Sequence, residues 1–148
     1  MFMHRSSLPA RVLLLALVLL LGACGKPKEA ALPSGTRVLA LGDSLTAPHG
    51  VTPEQAWPTL LAAKTGWAVV NAGVSGDTSA GALQRLPGLI EEHNPQLVLV
   101  TLGGNDMLRR LPQGQTTANL GRMLALAKAH GAKAVLLATP KPSLAGAA

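Results

Sequence analysis

The sequence is poor in the residues from which many scaffolds and nucleic-acid surfaces are built. One cysteine, Cys24, stands in 148 residues, so a disulfide-stapled scaffold is excluded. There is no tyrosine, one phenylalanine and only two tryptophans, which leaves almost nothing on which bases could stack and argues against a single-strand nucleic-acid binder. Charged residues are 14% of the chain and apolar residues 48%, a balance that fits neither a disordered, a collagen-like nor a coiled-coil protein. No internal repeat is present. A chain of this length forms one domain at most, with enough residues to bury a core.

The formal charge of +6 is partly a feature of the amino-terminal end. Arg5 and Arg11 precede the apolar run of residues 12–23, VLLLALVLLLGA, which meets Cys24. Twelve helical residues cover roughly 18 Å at ~1.5 Å each, well short of a hydrocarbon core of about 30 Å. Residues 1–23 therefore read as a signal peptide rather than a spanning helix. The tetrapeptide Leu21-Gly22-Ala23-Cys24 resembles a bacterial lipobox. That resemblance implies cleavage before Cys24, acylation of Cys24, and a protein lipid-anchored in the cell envelope and facing the periplasm. Residues 24–36, rich in Gly, Pro, Ala and Lys, read as a tether. Past the signal the balance falls to +4, eleven basic against seven acidic residues, and no basic run exceeds Arg109-Arg110. No nucleic-acid partner is expected.

Residues 37–148 carry the globular pattern. Four short runs rich in Val and Leu, at Val38–Leu41, Ala68–Val70, Leu97–Leu102 and Ala134–Ala138, are continuous rather than alternating. Strands buried on both faces of a parallel sheet have this pattern. Helical spacing lies between them. Leu120, Met123, Leu124 and Ala127 form one stripe, stopped by Gly131, and Leu83, Leu86 and Ile90 form another. Asp77 is the expected N-cap of the second stripe, with Pro87 expected to kink that helix or delay its start. A further helix closes at Gly66; it opens either at the capping box Thr52-Pro53-Glu54-Gln55 or at Pro58. The order β-α-β-α-β-α-β predicts a doubly wound, flavodoxin-like parallel α/β sheet with right-handed crossovers.

Ligands of such sheets bind beyond the carboxyl ends of the strands. There the sequence places three polar, glycine-rich clusters: Gly42-Asp43-Ser44-Leu45, residues 71–78 (NAGVSGDT), and Gly103-Gly104-Asn105-Asp106. In a 2-1-3-4 strand order their loops are neighbours. Ser44, on a tight turn after the first strand, is the natural nucleophile or else a helix N-cap. Gly76 offers a close backbone N–H to a developing oxyanion or merely a left-handed turn. Asn105 adds a neutral side-chain donor or caps a helix.

With these blocks in this order, the chain resembles the SGNH or GDSL hydrolases, and among them the periplasmic thioesterase, lysophospholipase and arylesterase branch. Ala56-Trp57-Pro58 and Arg85-Leu86-Pro87 add to the likeness, which runs from about Arg37 to Ser143. The resemblance implies a three-layer α/β/α fold. It makes Ser44 the nucleophile, and the Ser44 N–H, the Gly76 N–H and the Asn105 side chain the oxyanion hole. Acyl esters or thioesters are the implied substrates, with no metal or organic cofactor.

The family's last block, Asp-x-x-His, which supplies the general base and the carboxylate that orients it, does not occur in the sequence. The expected fifth strand and closing helix are likewise not in these residues, so the chain reads as the amino-terminal portion of an esterase with impaired activity. His93 and His130 fall at the opposite sheet edge, and His49 is five residues from Ser44 on a loop that would have to fold back. The alternative is a non-enzymatic envelope lipoprotein that uses the same pocket to bind small molecules.

Overall fold

The computed structural model describes residues 30–138. The signal peptide and Cys24 lie outside the described residues.

Four strands, β1 (Arg37–Gly42), β2 (Ala68–Gly73), β3 (Leu97–Thr101) and β4 (Lys133–Leu136), pair in parallel in the order β2-β1-β3-β4. The continuous apolar runs are explained by burial on both sheet faces. On one face Leu39, Leu41, Val98 and Val100 join Leu86, Ile90, Met123 and Ala127 in the main core. On the other, Val38, Leu97 and Leu99 pack with Leu32, Trp57, Leu61 and Trp67. Each such side chain contributes about 1.5–3 kcal/mol when fully buried, so the central pair of strands anchors the fold.

Both expected openings of the first helix are realised in succession. At Thr52 the backbone N–H donates to Gln55 Oε1 at 3.2 Å, starting a 3-10 turn, Pro53–Gln55. A hydrogen bond with the Thr52 side chain, and one with the backbone of Glu54, hold the Glu54 carboxyl below its ordinary value. Helix α1 (Trp57–Thr65) then begins with Pro58 in its first turn and ends at Gly66, whose φ is +72°.

Helix α2 (Ser79–His93) is capped by Thr78, whose side chain accepts from Gly81 N, and not by Asp77 as the sequence implied. Asp77 is drawn instead into an ion pair with Arg85 at 2.7 Å, an attraction from two turns into the helix. Nor does Pro87 delay the start: α2 runs through it, with the proline on the exposed side. A five-residue helix α3 (Gly104–Leu108) and the long α4 (Gln113–Ala129) complete the set. Gly131, at φ +88°, ends the turn after α4 while Ala132 N–H reaches back to Ala127 O.

Composition assigned residues 32–36 to the tether, but these residues dock on the domain. Gly35 N–H and Ser34 Oγ both donate to Gly66 O, at 2.8 and 3.0 Å, and Leu32 packs on the smaller core.

β4 ends at Leu136, two residues before the predicted end, and is the edge strand of the described sheet. Val135 and Leu136 remain 43% and 44% exposed. An open apolar edge pairs readily with other chains. The purified chain is therefore expected to associate, measured by light scattering on a sizing column, and Val135→Lys is expected to shift it toward monomer. A wild-type monomer with one cooperative unfolding transition would contradict an uncovered edge.

Candidate active site

The loops after β1, β2 and β3 meet at the carboxyl edge of the sheet, because Gly42 is in register with both Gly73 and Thr101. The loop after β1 lies down over these strand ends. A Cβ at Gly73 would collide with the backbone nitrogen of Ala47, and one at Gly42 with the Thr46 side chain. Glycine is thus required at both positions for the serine loop to pack so closely.

Asp43 shapes that loop. Its carbonyl accepts from Thr46 N and Ala47 N at 3.0 and 2.9 Å, and its Oδ1 accepts from Leu45 N at 2.9 Å. Ser44 sits half-buried on this turn and starts no helix, which removes the N-cap reading. Among the described residues, neither its hydroxyl nor its backbone N–H has a hydrogen-bond partner.

Gly76 adopts φ +77°, so the left-handed turn is real. Its carbonyl accepts from Arg109 Nη2 at 2.7 Å, and its N–H has no partner among the described residues. The turn and a free donor therefore coexist at one glycine.

Asn105 is the second residue of α3, and Gly103 is the N-cap, so Asn105 does not cap the helix. Its Nδ2 donates to Asp77 O at 2.9 Å and makes a longer contact of 3.4 Å with Asp43 Oδ2. One side-chain amide thereby ties all three loops together.

Two further groups hold the site and were not singled out in the sequence. Asp106, 2% exposed, accepts from Ser79 N at 2.8 Å, from the Ser79 hydroxyl, and from Thr116 Oγ1 at 3.2 Å. Asn119 Nδ2 completes the network by donating to Ser79 Oγ at 3.1 Å. This carboxylate locks the start of α2 to α3 and α4. Arg85 joins Asp77 to the Ala72 carbonyl, at 3.2 Å, and so fixes the loop after β2. The only local signal for Asp106 was its place beside Asn105; its partners are 10 and 27 residues away.

The histidines fall where strand direction puts them. His130 Nε2 and Asn94 Oδ1 are 3.0 Å apart, and Asn94 O accepts from Arg37 Nε at the amino end of β1. His93 lies beside Arg37 and Ala68 at that same edge. His49 is exposed, and its side chain makes no hydrogen bond to Ser44. No group of three His, Cys, Asp or Glu side chains among the described residues is arranged to hold a metal.

A doubly wound parallel sheet with a serine after β1, a free glycine N–H after β2 and an asparagine amide after β3 defines a class, the serine acyl hydrolases built on an SGNH fold. Residues 40–147 match the GDSL-like Lipase/Acylhydrolase family, and the chain belongs to that family. It is 44% identical over 110 residues to "Esterase TesA" of Pseudomonas aeruginosa, covering 71% of this chain and 55% of that protein. It is also 44% identical over 110 residues to "Thioesterase 1/protease 1/lysophospholipase L1" of Escherichia coli K12, covering 72% and 52%. A crystal structure of TesA superimposes with a TM-score of 0.71 at 43% identity, over 76% of this chain and 65% of the other. The chain spans about half the length of the curated relatives it matches.

Proposed function

We propose that the domain is the serine-bearing part of an ester or thioester hydrolase of the arylesterase or lysophospholipase type. The observation that carries this reading is the pair of unpartnered backbone N–H groups, at Ser44 and Gly76, on loops tied together by the Asn105 amide. Ser44 Oγ attacks the acyl carbonyl and forms the C–O bond of a tetrahedral intermediate, while its proton passes to a general base. The Ser44 N–H and the Gly76 N–H then meet the negative oxygen, joined by an Asn105 Nδ2–H that exchanges its longer contact with Asp43 Oδ2 for that oxygen. Collapse expels the alcohol or thiol, protonated by the same base, and water attacks the acyl-serine to release the acid. Arg109, bound to Gly76 O, holds the second donor in place. Acyl transfer by this route needs no cofactor.

The base must come from an Asp-x-x-His block, which these 148 residues do not contain. The test joins the chain to the corresponding carboxyl-terminal segment of TesA and supplies p-nitrophenyl butyrate. Turnover supports the reading, whereas a folded chimera without turnover contradicts it.

The envelope location belongs to the same proposal, resting on Arg5, Arg11, the apolar run and Cys24. Cys24→Ser is expected to release the protein from membranes or to leave an unprocessed precursor in fractionated cells. Unchanged processing and anchoring would sink it.

A further inference from the structure

Two arginines hold the loop after β2, Arg109 from the end of α3 and Arg85 from the second turn of α2. The Arg85 guanidinium works on both feet of that loop. Its Nε and Nη2 donate to Asp77 Oδ2 at 3.2 and 2.7 Å, and Nη2 also donates to Ala72 O at 3.2 Å. One planar group thus closes residues 72–77 at both ends, and Gly76 lies between them. Within the loop, Val74 N–H donates to Gly42 O and Asp77 N–H to Val74 O, each at 3.0 Å.

The other oxygen of Asp77 is held as firmly. Oδ1 accepts from Thr78 N at 2.9 Å, and a Cβ at residue 81 would collide with it, so a glycine in the first turn of α2 leaves the carboxylate its place. With the side chain fixed, the Asp77 carbonyl is fixed too, and that carbonyl accepts from Asn105 Nδ2 at 2.9 Å. The side chains of Arg85 and Asp77 are 31% and 10% exposed. A partly exposed ion pair adds little to stability. Its main consequence here is geometric, because both oxyanion donors outside the serine turn stand on what it holds.

From this arrangement we propose that Arg85 is a positioning residue for acyl transfer, acting through Asp77 and Ala72 O to hold the Gly76 N–H and the Asn105 amide where the oxyanion forms. The proposal deepens the ester-hydrolase reading and rests on it. Donors aimed at the oxyanion do most of their work in the transition state, where the negative charge develops, so misplacing them lowers kcat and leaves KM nearly as it was. Lysine replaces the charge but not the planar fork that serves a carboxylate and a carbonyl together.

The experiment is steady-state hydrolysis of p-nitrophenyl butyrate by the chimera with the TesA segment, as parent, Arg85→Ala and Arg85→Lys, each below its own unfolding transition. Arg85→Ala is expected to lower kcat by roughly 10²-fold, the scale of a small misplacement of reacting groups, with KM within about twofold. Arg85→Lys is expected to fall between the two. Millimolar guanidinium, which can enter the partly exposed position the side chain leaves, is expected to restore part of kcat in Arg85→Ala, and sodium chloride at equal ionic strength is not. In an Asn105→Ala background the loss on Arg85→Ala is expected to shrink, because part of it passes through that amide. A second readout needs no turnover: in the 148-residue chain, the side-chain amide resonances of Asn105 and the backbone amide of Gly76 are expected to move in Arg85→Ala, while those of α1 stay. Unmoved resonances at Asn105 and Gly76 would overturn the proposal. So would an active parent in which Arg85→Ala lowers only the unfolding midpoint, raises KM at unchanged kcat, or adds fully to Asn105→Ala. A folded but inert parent chimera would overturn the hydrolase reading instead, and the resonances then decide alone whether Arg85 holds the two donors.

Discussion

Supplied with p-nitrophenyl butyrate at neutral pH, the 148-residue chain is expected to be nearly inert, and joining a segment that carries Asp-x-x-His is expected to raise kcat by roughly 10⁴-fold or more. The reason lies in proton accounting. Ser44 has donors nearby for the oxyanion but, among the described residues, no base bound to its hydroxyl: His49 makes no hydrogen bond to it, and His93 and His130 stand at the far edge of the sheet. An oxyanion hole and binding alone leave a residual acceleration of roughly 10³ to 10⁴ over water. In the chimera with the TesA segment, Asn105→Ala is expected to lower kcat by roughly 10² to 10³, the usual loss for one oxyanion donor. Enzyme-like turnover by the 148-residue chain, abolished by His49→Ala, would show that His49 does fold back onto Ser44.

Asp106→Ala is expected to produce the largest loss of stability of any single change near the site, about 2–5 kcal/mol by denaturant titration. Removing the carboxylate strands Ser79 N and the Ser79 hydroxyl, both fully buried, while Thr116 Oγ1 keeps the Pro112 carbonyl at 3.5 Å. Buried donors left without acceptors lose their hydration without compensation. Asp106→Asn keeps the shape and part of the acceptor capacity, so its cost is expected to be smaller. If Asp106→Ala left the unfolding midpoint unchanged, the network would not be holding α2, α3 and α4 together.

The strands were legible because burial on both faces forces uninterrupted apolar runs, and the sheet has the 2-1-3-4 order in which the polar clusters are neighbours. What escaped was set by partners distant in sequence. Asp77 has the chemistry of an N-cap, and only Arg85, eight residues on, draws it away and leaves the cap to Thr78. Residues 32–36 have the composition of a linker, yet hydrogen bonds to Gly66, more than thirty residues on, seat them on the domain. Pro87 carries the local rule for a helix break, but α2 runs through it with the proline on its exposed face. That the loops of Ser44, Gly76 and Asn105 meet at one edge of the sheet was readable from the placement of their clusters after the strands. Their bracing by Asp43, Arg85 and Asp106 was not, because an acid in a loop reads as solvated until tertiary contacts bury it.

The central claim is that Ser44 is the nucleophile of an acyl transfer. The most direct measurement is hydrolysis of p-nitrophenyl butyrate by the chimera with the TesA segment, with and without Ser44→Ala, together with the mass of the protein after brief exposure to the ester. The account expects an acyl adduct on Ser44 in the parent, and neither adduct nor turnover above background in Ser44→Ala. Full activity in Ser44→Ala would contradict it.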